Sequence, residues 1–518
     1  MKKVSIFDTT LRDGEQTEGI SFTIADKIKI AKMLDDLGVD YIEGGWPAAN
    51  PKAMEFFHQI KKEKLKHSEM VAFGATAHPK NKAADDPNLQ GLIESEAPVV
   101  CIFGKTWDLH VREALGISLE KNLEIIADSI KFLKSKKKKV FFDSEHFFDG
   151  YKANPEYALK VVKTACEAGA DTVVLCDTNG GTLYFEFEDI IEKVKKTIDC
   201  EFGIHCHNDS ELAVANSLMA VKLGATQVQG TINGIGERCG NANLVSIIAN
   251  LNLKMGLEVL DKNKLKKLTD VSHRVSEIAN WHPNAQQPFV GKSAFTHKGG
   301  IHVSAIQKNR RTYEHIDPAL VGNVQRVVVS DMSGISNLIY KAQEKGLEIP
   351  KDDPRTKELL KEIKELEKQG YQFEEGEASF EILVKKTFGK HKPLFELGRF
   401  QTTSINDGKD KTIVEASIHL KINGEEIHTV GSGNGPVAAL DGALRKALEK
   451  HFPKIKNIYL TDYKVRVLAG HDGTSALVRV LIESSDGEKT WGTVGVSTNI
   501  IEASYQALVD SFEYYLLK

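Results

Sequence analysis

Up to about residue 255, short apolar runs of strand length alternate with segments of helical spacing, and this alternation constrains the fold more than anything else in the chain. VSIF at 4–7 comes first, and residues 23–37 then set Ile24, Ile28, Ala31 and Leu34 on one helical face. VDYIEGG, VAFGAT, VVCIFG, KVFFD, DTVVLCD, FGIHCH and TQVQGT follow, with helical patterns between most of them. Repeated strand–helix units imply a parallel sheet covered by helices. Eight such units in this span predict an α/β fold of the TIM (β/α)8 barrel type. The competing doubly wound sheet is weakened because no G-x-G-x-x-G follows the first strand.

With 518 residues the chain exceeds one domain. We place the barrel at 1–275, a linker or subdomain region at 276–377 and a C-terminal α+β domain at 378–518. The middle region has a helical stretch near 262–280, the polar segment SAFTHKGGIHVSA and a charged run at 350–377 that reads as a surface helix plus linker. The last region carries an internal repeat at an offset of 64: TVG at 429–431 matches TVG at 493–495, and Ala439, Ala443 and Leu444 match Ala503, Ala507 and Leu508. Each copy reads as strands followed by an amphipathic helix, so the domain is expected to be pseudo-symmetric.

Charged residues are 27 % of the chain and the net charge is −4, which gives no reason to expect a nucleic acid or an anionic membrane as partner. The one basic run, Lys134 and Lys136–Lys139, reads as a solvated helix end. No window of about 18 apolar residues is present and no signal-peptide pattern precedes Asp8, so no membrane span or leader is expected. The six cysteines, Cys101, Cys166, Cys176, Cys200, Cys206 and Cys239, make no C-x-x-C pair and read as reduced, buried thiols of a cytoplasmic protein. Cys206 and Cys239 read as small apolar filler.

Barrel active sites lie at the C-terminal ends of the strands, so the chemistry is sought there. Those ends carry Asp8, Arg12 and Asp13, then Glu43, then Asp143, Glu145 and His146, then Asp177, Thr178 and Asn179, then His205, His207 and Asp209, and last Glu237, Arg238, Asn241 and Asn243. His205 and His207 stand two apart on one strand, so both imidazoles face the same way. Two His and a carboxylate form a common facial set for a divalent metal, and Asp13 is within reach across the eighth strand. Most H-x-H pairs bind no metal; the strand-end position and acidic neighbours favour the ligand reading here. A 2-oxo acid offers a carbonyl beside a carboxylate for a metal to hold, while Arg12 stabilises the developing alkoxide. A structural Arg12–Asp13 pair is the competing reading. Thr178 either holds the substrate carboxylate or caps the next helix. NGIGERCGN looks like a phosphate loop, but its glycine spacing is wrong and no Lys follows.

FDTTLRDGEQ, the HCHND strand end and GIGERCGNANL resemble the signature regions of the 2-isopropylmalate, homocitrate and citramalate synthase family. GSGNGPVAALDGAL and the 64-residue repeat resemble its C-terminal regulatory domain, so the resemblance covers nearly the whole chain. IEGGWP, FGKTWDLHV, EHFFDGYKANP and LCDTNGG look most like the citramalate-forming branch. Trp46 stands where many relatives carry Phe.

The resemblance implies Asp13, His205 and His207 as metal ligands with Asn241 close by, Arg12 as the residue polarising the oxo acid, Thr178 as its carboxylate contact and Glu145 as a catalytic carboxylate. It also implies His302 and Tyr313 as catalytic groups from the linker region, and a homodimer. The expected reaction condenses acetyl-CoA with pyruvate on a divalent ion such as Mg, Mn or Zn; His302 or Glu145 removes the methyl proton. Trp46, Trp107, Phe147 and Phe148 are expected to crowd out a branched substrate. The alternatives are the same chemistry on 2-oxoisovalerate and a non-catalytic amino-acid sensor. Residues from 378 onward are expected to bind isoleucine between the repeats, at Gly433, Asn434 and Gly435 on one side and Thr498 and Asn499 on the other; a dimerisation domain with tight turns and no ligand is the rival reading.

Overall fold

Apolar strands with both faces buried and helices between them close into a barrel. In the computed structural model, which describes residues 3–329, 334–406, 412–468 and 475–518, eight parallel strands close in sequence order. They are β1 (Ser5–Asp8), β2 (Tyr41–Gly45), β3 (Glu69–Ala75), β4 (Val99–Lys105), β5 (Lys139–Glu145), β6 (Thr172–Asp177), β7 (Glu201–Cys206) and β8 (Gln227–Gly230). The closing seam pairs Ser5–Asp8 of β1 with Gln227–Gly230 of β8. Helix-facing side chains such as Ile6, Ile42, Val140 and Leu175 are fully buried against the surrounding helices. Inward-facing Phe7, Val71, Phe73, Val99, Cys101 and Phe141 fill the barrel beneath its mouth.

Contacts divide the chain into two units, Met1–Phe295 with Ile316–Val324 and Thr296–His315 with Gln325–Lys518. The second unit begins with a two-stranded parallel pair, β9 (Thr296–His297) and β10 (Arg326–Val327), accompanied by the helices Gly300–Lys308 and Ile335–Glu344. Its C-terminal part holds two three-stranded antiparallel sheets, each followed by a helix. The first sheet is β11 (Glu396–Asn406), β12 (Thr412–Ile422) and β13 (Glu425–Gly433), with the helix Pro436–Leu448. The second is β14 (Tyr459–Val467), β15 (Val478–Ser485) and β16 (Thr490–Ser497), with the helix Ile500–Leu516.

The 64-residue offset has an atomic basis. Thr429 donates its hydroxyl to the Ala443 carbonyl at 2.8 Å, and Thr493 does the same to Ala507 at 2.8 Å. Gly431 and Gly495 lie so close to the following helix backbone that a Cβ would collide with it. A cluster of Val329, Leu338, Ile363, Phe373, Phe380, Val384, Val494 and Val496 joins the helices on both sides of residue 377 to β16.

Two expectations change. Cys166 and Cys200, read as free thiols, form a disulfide with a Cα separation of 5.8 Å. Cys239, read as apolar filler, is exposed, whereas Cys101, Cys176 and Cys206 are buried. The lysine run closes the helix Leu119–Ser135 as expected, with Lys136 and Lys137 exposed, while Lys134 pairs with Asp171 and Lys139 with Glu69, each at 2.7 Å. No helix among the described residues is long and apolar enough to cross a membrane.

Candidate active site at the barrel mouth

The loop after β1 carries Arg12 and Asp13, and buried groups hold it from beneath. Lys27 donates to the Leu11 carbonyl at 2.7 Å, and Thr9 Oγ1 accepts from the Asp13 amide. Beyond β8, β7 carries His205 as its penultimate residue, and His207 follows the strand. Asp13, His205 and His207 are buried, and their ligand atoms lie within 4.8 Å of one another. The Nε2 atoms of His205 and His207 stand 3.7 and 3.8 Å from Asp13 Oδ2.

Outer groups orient these side chains. Gln229 on β8 donates to Asp143 Oδ1, so its Oε1 is left to accept from His205 Nδ1 at 3.0 Å. That places the His205 proton on Nδ1 and turns Nε2 toward Asp13 as a lone pair. Asn241 Nδ2 donates to Asp13 Oδ1 at 2.8 Å. Asn241 Oδ1 and His207 Nδ1 are buried without a hydrogen-bond partner among the described residues. A buried orphan acceptor, Asn241 Oδ1, beside two neutral imidazoles and a carboxylate is what a divalent cation would satisfy, and His207 turns Nε2 rather than Nδ1 toward Asp13. The glycines of NGIGERCGN wrap this asparagine: a Cβ on Gly236 would strike its amide, and Gly236 and Gly240 have φ of 158° and 90°.

Arg12 lies in the same pocket. Its Nε donates to Glu43 Oε2 at 2.6 Å, Nη1 donates to Asp13 Oδ2 at 2.9 Å, and the guanidinium rests 3.9 Å from the Phe73 ring centroid. It is therefore both a structural pair and a cation presented to the mouth. Burial alone would raise the Asp13 carboxyl, but Arg12, His205, His207 and the Asn241 hydrogen bond outweigh it and hold Asp13 well below the usual range. Burial and His207 push His205 down to about 3, so it stands neutral. Burial and Glu43 push Asp143 up to about 7.

The pocket, about 240 Å³, is lined by Arg12, Asp13, Asp143, Glu145, Thr178 and both histidines, with Trp46, Phe73 and Phe103 as an apolar wall. Trp46 meets Phe73 and Phe103 edge-on at 5.8 and 5.6 Å, and its indole N–H donates to Asn88 Oδ1 at 2.7 Å. Glu145 pairs with Lys105 at 2.5 Å. Thr178 caps no helix: its hydroxyl accepts from the His146 amide at 2.9 Å, and its carbonyl accepts from Arg238, which also pairs with Asp209.

The aromatic expectation is corrected. Phe147 and Phe148 are fully buried in the core and Trp107 packs on His110 and His146, so of the four named residues Trp46 alone is in the pocket lining. Phe73 and Phe103 stand beside it in that lining. His302 and Tyr313 belong to the second unit, where their rings stack at 4.1 Å on an exposed surface. Gly433 ends β13, and Asn434 and Gly435 form the turn before the first repeat's helix. Thr498 and Asn499 occupy the equivalent turn of the second copy, where Asn499 caps its helix by accepting from the Ile501 amide. Packing accounts for Gly433, since a Cβ there would press on the Ala438–Ala439 backbone.

A closed barrel with an Asp-His-His set beside a part-buried arginine defines a class, and comparison with known proteins agrees: the chain belongs to the HMGL-like family, whose profile matches residues 3–275. A profile described as homocitrate synthase post-HMGL domain-like matches 289–371, and one described as LeuA allosteric (dimerisation) domain matches 375–516. Within that class the chain is similar to curated (R)-citramalate synthases. It is 57 % identical to that of Geobacter sulfurreducens and 55 % identical to that of Aquifex aeolicus, in each case over 100 % of this chain and 98 % of the relative. The 2-isopropylmalate synthase of Methanocaldococcus jannaschii is 34 % identical over 100 % of this chain and 95 % of the relative.

Proposed function

We propose that this chain is an (R)-citramalate synthase, joining the methyl carbon of acetyl-CoA to the carbonyl carbon of pyruvate and releasing CoA by hydrolysis of the thioester. The observation that carries this reading is the Asp13–His205–His207 cluster beside Arg12 in a small pocket walled by Trp46, Phe73 and Phe103. A divalent ion held by Asp13, His205 and His207, with Asn241 adjoining, would supply Lewis acidity toward the carbonyl and carboxylate of the oxo acid. Arg12, fixed by Glu43, offers its charge to the oxygen that becomes the alkoxide. Thr178 takes the substrate carboxylate. Glu145 or His302 accepts the methyl proton, and Tyr313 with these two places the hydrolytic water. Pyruvate is favoured over 2-oxoisovalerate because the three rings occupy the space a branched side chain needs, and because identity is higher to the Geobacter and Aquifex citramalate synthases than to the 2-isopropylmalate synthase.

Release of CoA with acetyl-CoA, a divalent metal and a panel of 2-oxo acids tests this. The highest kcat/KM should fall on pyruvate; preference for 2-oxoisovalerate assigns the alternative activity, and no release with any acid leaves the sensor reading. For residues 378–518 we propose isoleucine binding in the turns holding Asn434, Gly435, Thr498 and Asn499, and a homodimer through the same domain, in line with the matching family description. Calorimetry with isoleucine, leucine and valine, and sedimentation of the full chain, test the two statements separately.

A further inference from the structure

His146 is one of few non-glycine residues with a left-handed backbone, at φ 55° and ψ 35°, and it directly follows Glu145 at the end of β5. Such a conformation is uncommon outside glycine, even for His, which with Asn and Asp visits it more often than most, and it is favoured where the surroundings enforce it. Here they do. The ring Nδ1 lies 3.3 Å from Asp149 Oδ2, which also accepts from Asn179 at 3.1 Å. On its other side the ring meets His110 edge-on at 4.5 Å and Trp107 at 5.9 Å. The consequence of the turn is the 2.9 Å bond from the His146 amide to Thr178 Oγ1. A threonine hydroxyl has one proton and two lone pairs. With a lone pair taken by an amide and the Thr178 carbonyl tied to Arg238, the hydroxyl is left to act as a donor toward the pocket that Thr178 lines.

We propose that His146 is a positioning residue for the oxo acid: its anchored ring holds a left-handed turn whose amide fixes the Thr178 hydroxyl as a donor to the substrate carboxylate. This rests on the assignment of a 2-oxo acid to the pocket and goes beyond it, because backbone conformation rather than imidazole chemistry carries the role. It can therefore be separated by substitution. His146→Asn and His146→Gly remove the ring but reach the left-handed region readily, whereas His146→Val does not.

The test is steady-state kinetics of these three variants, Thr178→Ala and the double variant H146V/T178A, with unfolding midpoints recorded alongside. The Val variant should show a pyruvate KM about tenfold above those of the Asn and Gly variants. The KM for acetyl-CoA should move by a similar small factor in all three, and adding H146V to T178A should raise the pyruvate KM no further. Equal pyruvate KM values for Asn, Gly and Val, or a full additive effect in the double variant, overturn the proposal. If Val does not fold, a tenfold rise in the Gly variant relative to Asn overturns it as well, and parity of the two supports it. A wild-type enzyme that prefers another 2-oxo acid would sink the citramalate reading alone; the same comparison is then read with that acid, which presents the same carboxylate.

Discussion

The proposed ligand set is held as much by its outer partners as by its own chain positions. Gln229 selects the His205 tautomer, so Gln229→Leu should weaken metal binding about 10–100-fold while the barrel stays folded; metal titration of the purified variant checks it. Asp13→Asn should remove bound metal and lower kcat by about a thousandfold, measured by metal analysis and single-substrate rates; retained metal would remove Asp13 from the ligand assignment. Trp46 is part of the pocket's apolar wall, and Trp46→Ala should raise the ratio of kcat/KM for 2-oxoisovalerate over pyruvate by about 10–100-fold. His205, His207, Asp13 and Arg12 were legible because a period of two and strand-end placement are written locally. Glu43, Gln229, Phe73 and Phe103 were not singled out for their roles, because a sequence gives neither barrel shear nor which of two alternating faces turns inward at a given height. Phe147 and Phe148 misled for the same reason: their size was visible and their direction was not.

The repeated units show what a duplicated element preserves. Each copy docks its helix through one threonine hydroxyl and one glycine. Gly495→Ala should therefore lever the helix Ile500–Leu516 off β16 and cost about 2–4 kcal/mol, read from denaturant midpoints. Sequence exposed this repeat because the close approach restricts residue type at fixed spacing. It did not expose the carboxyl of Asp510 on the same helix, which burial pushes up to about 6 despite the Ser379 hydrogen bond. The folded state prefers the protonated form, so this contribution to stability is complete below pH 3.8 and is lost as pH rises through about 6. Asp510→Asn should thus be more stable than the parent by about 1 kcal/mol at pH 7, a figure discounted because the residue is half-buried, and the difference should vanish near pH 4. Equal pH dependence of the two proteins would show that Asp510 is solvated.

Across the molecule, the barrel, the repeated sheets and the helix Pro354–Lys368 expected within 350–377 were readable from the sequence, whereas the packing of the region between barrel and repeats was not. Its helices share a core with β16, because Phe380, Val384, Val494 and Val496 pack with Val329, Leu338 and Phe373. A chain ending at Glu377 keeps only part of that cluster and should bind a hydrophobic dye several-fold more strongly than the full chain, on the order of what an exposed apolar patch produces; fluorescence of the two at equal concentration decides it. Closure of the barrel has a further consequence in time. Asp13 bonds to Asn241, 228 residues later in the chain. At ordinary rates of synthesis that separation takes roughly 10–45 seconds to cross. For most of that interval a nascent chain displays Arg12 and Asp13 before His205 and His207 exist, so the proposed ligand set stays incomplete until late in it, and loading of an ion has to follow the sealing of the first strand to the last.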